Sequence, residues 1–170
     1  MDRKTTIRQQ LREARELLLE AVAALDEETA LTTTANPEWR VRDILAHLAA
    51  AERGLLRNVE RFLAGGELPA DFDLDRWNRR QVARRQDATV ADLLAELAAS
   101  REETWALLDR LDETALDVPG RHPAGMLTTV AGLFATIAHH ELDHGNEIRA
   151  ALGLPILRRA DWRQALGKTP

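Results

Sequence analysis

The sequence predicts an all-α protein that folds as a four-helix bundle with a long crossover between helices 2 and 3. Apolar residues recur at steps of three and four in four segments of about 20 to 27 residues, the periodicity of helices with one buried face. No segment shows a convincing two-residue alternation, and alanine, leucine and arginine abound while tyrosine is absent. Four amphipathic helices bury their apolar stripes by packing into a bundle.

The first predicted helix starts near the N-terminus and lasts for about six turns. The segment TTTANPEW, which contains Pro37, interrupts it. The N-terminal residues lack the apolar stretch of a signal peptide, so a cytoplasmic location is expected. No apolar run approaches the ~20 residues that a membrane span requires, so no membrane association is expected. The stripe of this helix consists of Ile7, Leu11, Ala14, Leu18, Val22 and Leu25.

The second predicted helix runs from about Val41 to Ala64, and two glycines after it are typical of a C-terminal cap. The connector that follows is predicted to carry a short helix over Asp73–Gln86, lying across the surface with Trp77 turned inward. Because this connector is long, the four helices need not alternate simply up and down.

The third long helix is predicted to begin after Thr89, with Asp92 completing a capping box, and to end near Asp112. The following segment, DETALDVPGRHPAGML, is rich in glycine and proline and is predicted to be a loop. Thr128 is then predicted to cap the last long helix, and Gly153 with a nearby proline ends it.

The whole chain, residues 1–170, is expected to form a single domain with its core within residues 5–155. The tail, residues 156–170, is expected to hold one more turn or to pack back through Trp162. Cysteine is absent, so thiolate metal sites and cysteine nucleophiles are excluded. The net charge of -5 argues against nucleic-acid binding, which needs a basic surface.

Two histidines occupy apolar-stripe positions of the last helix. His140 and His144 lie four residues apart between Ile137 and Ile148, so both face the core from the same side. A third histidine, His47, lies on or beside the apolar face of the second helix. Burial of neutral imidazoles leaves ring nitrogens to satisfy, and a metal ion bound by all three would satisfy three of them. The alternative is a set of half-buried histidines that bond to acids or water.

The remaining two histidines are predicted to lie outside such a site. His139 points about 100° away from His140 around the helix axis. His122 belongs to the GRHPAG loop, where an exposed surface histidine is the favoured interpretation and a place at a pocket mouth the other.

The segment His140-Glu141-Leu142-Asp143-His144 also matches the H-E-x-x-H pattern of zinc proteases, in which the glutamate is a general base. That class needs a third ligand well downstream, and Asp161 is the only acidic residue beyond Glu147. It also usually aligns its substrate along a sheet edge, and no strand is predicted. Glu141 is therefore interpreted as a surface residue or as a support for the ligands.

Two motifs resemble those of the DinB/YfiT-like superfamily. WRVRDILAHLAAAE, with Trp39 before the helix and His47 within it, looks like the second-helix signature, and HHELDHGNEIRAALGLP looks like the closing signature. The similarity covers most of residues 5–155. It implies a four-helix bundle, often dimeric, and a divalent metal, commonly zinc or nickel, held by three histidines. Matched residue by residue, those histidines are His47, His140 and His144.

The resemblance also implies a function. Members of this superfamily include thiol-dependent isomerases, thiol S-transferases and small hydrolases, so we expect a metal-dependent enzyme that acts on a small molecule. A low-molecular-weight thiol is an expected cosubstrate, and a homodimer is an expected assembly. The alternative is a non-catalytic bundle that binds or sequesters a small molecule in stress or resistance. A third interpretation is a structural bundle that dimerises through an exposed helix face.

Overall fold

The computed structural model describes residues 2–157. Within them lie four long α-helices, one short α-helix, two 3₁₀ helices of three residues each (Thr29–Leu31 and Ala115–Asp117) and one two-stranded hairpin. None of the described helices is both long and apolar enough to cross a membrane. Trp162, Asp161 and the rest of the predicted tail after residue 157 lie outside the described part of the chain. The elements are α1 (Arg3–Val22), α2 (Val41–Leu63), α3 (Leu74–Ala83), α4 (Val90–Arg110), β1 (Pro119–Arg121), β2 (Leu127–Thr129) and α5 (Val130–Ala151).

The predicted four-helix bundle is confirmed, and α1, α2, α4 and α5 form it. Contacts between helices give their directions. Along α1, partners on α4 come in descending order, from Asp109 beside Arg8 to Leu97 beside Arg15, so these two helices are antiparallel. Partners on α5 instead ascend, from Glu141 beside Arg15 to Arg149 beside Glu20, so α1 and α5 are parallel.

Helices α2 and α4 are also parallel, which explains the long crossover. Near the start of α2, Arg42 donates to the carbonyl of Ala88 just before α4 begins. Further along α2, Arg53 donates to Glu103 in the second half of α4, so the contacts advance along both helices together. In chain order, the bundle helices α1, α2, α4 and α5 therefore run up, down, down and up. A helix of 23 residues is about 35 Å long, so the chain must return over that length before α4 can start beside α2. Helix α3 lies within this return and packs against α2.

The core between the helices consists of two apolar clusters. One contains the second half of α2 with the first half of α5, and the other contains the first half of α2 with the start of α4 and the end of α1. All of the predicted α1 stripe is buried except Leu25, which lies beyond the end of the helix and packs partly on the second cluster. Helical periodicity was thus a sound guide to the buried faces.

The hairpin corrects the sequence-based prediction that the chain has no strand. Strands β1 and β2 pair in antiparallel register, with Gly120 opposite Thr128. The hairpin lies against α2, where the ring of Phe62 occupies the space that a side chain at position 120 would need.

The helix caps are partly as predicted. Thr89 and Asp92 form the predicted capping box of α4. Thr128 does not cap α5, because it is the middle residue of β2. Thr129 does so instead, and its hydroxyl accepts a hydrogen bond from the amide of Gly132.

Candidate metal centre

Three histidines from two helices converge at the end of the bundle where α2 begins. His47 lies in the second turn of α2, and His140 and His144 lie one turn apart on α5. The Nε2 atom of His140 lies 2.9 Å from Nε2 of His47 and 3.1 Å from Nε2 of His144. The antiparallel packing of α2 on α5 brings together residues that are 93 positions apart in the chain.

The environment of His47 and His140 favours their neutral forms. Burial, together with the charge of His144, lowers the pKa of His47 to about 3. Burial also holds the pKa of His140 well below its ordinary value, with further contributions from the charges of His144, His47 and His122. Neutral imidazole is the form that binds transition metals.

A carboxylate and an aromatic ring orient the outer sides of this cluster. Glu147 Oε2 lies 2.9 Å from Nδ1 of His144, so Nδ1 donates to the carboxylate and the lone pair of Nε2 faces the other two histidines. Carboxylates commonly orient metal-binding histidines in this way. The ring of Trp39 lies 5.1 Å from that of His47, centroid to centroid, and limits the rotation of the imidazole.

The donor set fits a divalent cation. Each Nε2 carries either one proton or one lone pair, so three converging nitrogens cannot all be satisfied by N–H···N bonds among themselves. A cation accepts all three lone pairs at once. Nitrogens bound to one zinc ion at about 2.0–2.1 Å lie roughly 3 to 3.4 Å from one another, which is close to the 2.9 and 3.1 Å that separate Nε2 of His140 from the other two. The three candidate ligand atoms all lie within 4.8 Å of one another. The three imidazoles are the group of candidate ligands that converges within the described residues.

A cavity of about 820 Å³ opens onto the three histidines. Its size falls in the range of small-molecule pockets. The wall along α2 runs from His47 past Ala51, Gly54 and Leu55 to Asn58, which are positions on one helix face. The crossover supplies an aromatic and apolar cover, with Leu68, Phe72, Leu74 and Trp77. Arginines and acids, among them Arg57, Arg61, Arg79, Glu38 and Asp75, line the remainder.

His122 also lines this cavity, so its interpretation as an exposed surface residue was wrong. The hairpin turn holds it partly buried, and burial lowers its pKa. It is close enough to His140 for its charge to oppose protonation there. His139 lies outside the converging group, as predicted.

Glu141 is not a surface residue but a member of a buried ion-pair network. Each of the four long helices contributes one charged side chain: Arg15 from α1, Glu52 from α2, Arg101 from α4 and Glu141 from α5. Arg15 Nη2 lies 2.7 Å from Glu52 Oε2, and Arg101 Nη2 lies 2.9 Å from Glu141 Oε2. All four are less than 10% exposed, so the helices are tied together by charges away from water.

The two carboxylates of the network differ in their acidity. Burial opposes ionisation of Glu52, yet the guanidinium groups of Arg101 and Arg15 hold its pKa below the ordinary value. Ser100 and Thr104 also donate hydroxyl hydrogen bonds to it. For Glu141, burial prevails over the same two arginines and raises the pKa. Because Glu141 is held in these contacts and does not line the cavity, the arrangement contradicts a protease-like general base.

Sequence reasoning missed Arg15, Glu52 and Arg101, although a signal was present. Arg101 fills the gap between Leu97 and Thr104 in the predicted stripe of α4. Each of the other charges also lies on or next to an apolar stripe. A charge at such a position can be buried when an opposite charge from a neighbouring helix meets it.

The sequence matches the family model of the DinB superfamily over residues 10–148. Among solved structures, the chain is similar to YfiT from Bacillus subtilis, with 23% sequence identity, a TM-score of 0.64 and 89% of each chain covered. That protein is described as a probable metal-dependent hydrolase with an unusual four-helix bundle topology. A search of curated proteins finds no match.

Proposed function

Since this chain belongs to the DinB superfamily, we propose that it is a metal-dependent enzyme acting on a small molecule, with His47, His140 and His144 as the metal ligands. The observation that carries the proposal is the convergence of three imidazole Nε2 atoms beside an open cavity. Three neutral ligands would leave a divalent zinc or nickel ion its full charge, which lowers the pKa of a bound water or thiol.

Hydrolysis of a small molecule is the first reaction that this arrangement supports. The similar YfiT is described as a probable metal-dependent hydrolase, which agrees with it. In this chain, Glu147 would fix the tautomer of His144, and Trp39 would fix the ring of His47. The apolar cover from the crossover would hold the organic part of the substrate and exclude bulk water from the reacting group.

Thiol S-transfer is the second reaction, and the cavity is large enough for it. About 820 Å³ is enough for a thiol cosubstrate beside an electrophilic substrate. Because the chain has no cysteine, the sulfur would come from the cosubstrate. The non-catalytic alternative, a binding or sequestering protein, uses the same cavity without turnover.

Metal analysis tests the ligand set. Protein purified without a histidine tag is expected to hold close to one divalent ion per chain, because three convergent ligands form one site. His144→Ala is expected to lower that content at least tenfold, whereas His139→Ala, one position from the site on the same helix, is the matched control. Zinc should also raise the melting temperature of the metal-free wild type but not of His144→Ala. A wild type without metal, and without a thermal response to zinc or nickel, would contradict the proposal.

Turnover then separates the candidate functions. The metal-loaded protein is assayed with activated esters alone and with electrophiles in the presence of bacillithiol, mycothiol or glutathione. Product formed without thiol supports the hydrolase, and thiol-dependent product supports the transferase. Stoichiometric binding without product supports the sequestering protein.

A further inference from the structure

The turn between β1 and β2 holds His122 in one orientation. Its backbone amide donates to the carbonyl of Met126 at 2.8 Å, and its carbonyl accepts from the amide of Gly125 at 2.7 Å. The ring is fixed as well, because Nδ1 accepts a hydrogen bond from the amide of Ala124 at 3.0 Å. Gly125 has a φ of 92°, a conformation that suits glycine and closes the turn. Two bonds therefore fix the backbone of His122, and a third fixes its ring, before any ligand arrives.

These bonds also determine the tautomer. A backbone amide can only donate, so Nδ1 of His122 must carry the lone pair. The proton of the neutral ring is then on Nε2. Nε2 is buried and has no hydrogen-bond partner among the described residues. A buried donor without a partner costs about 1 to 3 kcal/mol, so its retention calls for an explanation.

The cavity offers that explanation. His122 lines the same space as His140 and His144, together with Thr136 one helical turn before His140. The hydroxyl of Thr136 donates to the carbonyl of Gly132. It is therefore not a donor to the cavity, whereas the Nε2–H of His122, which also lines this cavity, has no acceptor among the described residues.

We propose that His122 is a substrate-positioning residue, whose Nε2–H donates a hydrogen bond to an oxygen atom of a ligand held at the three histidines. The ligand class is a molecule with an acceptor oxygen next to its reacting group, such as a carbonyl, carboxylate or hydroxamate. This inference rests on the proposed metal site and adds to it a contact that is not part of the ligand set.

Two substitutions separate the two nitrogens of this ring. In His122→Gln, the side-chain amide can reach the place of Nε2 and still donate. In His122→Asn, the shorter side chain can place its oxygen near Nδ1 and keep the bond from Ala124, but it cannot reach the ligand. The Asn variant is therefore the control for the structure of the turn, and the Gln variant is the control for the donor.

The probe is acetohydroxamate, which binds zinc and carries acceptor oxygens. Its affinity for each zinc-loaded protein is measured by calorimetry, and the zinc content is measured in the same samples. His122→Gln is expected to bind within about twofold of the wild type. His122→Asn is expected to bind about 3- to 10-fold more weakly, the value of one hydrogen bond, with unchanged zinc content. In the wild type, ¹⁵N NMR should show the Nε2–H tautomer and a shift of Nε2 when the probe is added.

Three results would overturn the assignment. Equal affinity of the wild type and both variants shows that the donor is unused. Weak binding by the Gln variant with normal binding by the Asn variant shows that His122 serves only the turn. An Nδ1–H tautomer in the NMR spectrum contradicts the geometry. A wild type that binds no zinc overturns the proposed function and this inference with it, and the zinc analysis distinguishes that result from the other three.

Discussion

Arg101→Met is expected to destabilise the bundle far more than an ordinary surface ion-pair substitution. Arg101 is 4% exposed and bonds Glu52, Glu141 and the carbonyl of Leu11. Its loss leaves two buried carboxylates with one guanidinium, that of Arg15. Removal of one partner from a buried ion pair costs about 3 to 5 kcal/mol. For a chain of this size, that lowers the melting temperature by about 6 to 20 °C.

The measurement is urea unfolding followed by circular dichroism. Arg53→Met is the matched control, because Arg53 also bridges two carboxylates, Glu96 and Glu103, but its side chain is 27% exposed. Exposed ion pairs of this kind contribute about 0 to 1 kcal/mol. Equal losses in the two variants would refute the argument that burial determines the cost.

A second substitution tests the cause. Glu141→Gln removes one of the two carboxylates that Arg101→Met leaves behind. The double variant is therefore expected to be more stable than the sum of the two single losses predicts, by about 0.5 to 3 kcal/mol. Additive losses would show that the arginine acts through packing and not through charge.

Two further predictions concern pH and the hairpin. In the metal-free protein, the free energy of unfolding is expected to fall between pH 7 and pH 5, and His47 is expected to contribute about 2 kcal/mol of that fall. Its native pKa is about 3 and its ordinary value is 6.5, so it takes up a proton only in the unfolded chain, and the buried His140, whose pKa is also lowered, adds to the fall. Urea unfolding at both pH values should show a fall smaller by about 2 kcal/mol in His47→Gln, and an unchanged fall contradicts the assignment. Gly120→Ala is expected to lower the free energy of unfolding in urea by about 1 to 3 kcal/mol, because its methyl group would overlap the buried Phe62 ring. Gly145→Ala is the control: its methyl group meets only ordinary contacts at 3.9 Å within a helix, so it should raise the free energy of unfolding by about 0.5 to 1 kcal/mol. A neutral result for Gly120→Ala would show that the hairpin moves freely.

The helices were predictable because their signal is local. Successive turns repeat the same choice between core and solvent, so the bounds of α2 and α4 were predicted to within one or two residues. The capping box of Thr89 and Asp92 is local as well. The hairpin was not predictable, because three residues per strand are too few to show an alternation.

The buried network shows a different limit. A charge on or beside an apolar stripe resembles the edge of a solvated helix face, so Glu141 was partly interpreted as a surface residue. Its burial depends on how four helices are rotated against one another, and each of the other three charges is contributed by a different helix. No window of the sequence contains that information.

By itself, the sequence determined the four helices, their buried faces and the presence of His47, His140 and His144 on those faces, because helical periodicity places a side chain relative to its own axis. The tertiary structure decided what these faces meet. Antiparallel packing of α2 on α5 brought the three Nε2 atoms together, and the hairpin turned His122 into the same cavity. The physical reason is that a backbone pattern fixes directions within an element, whereas the convergence of groups distant in the chain depends on the packing of one element against another.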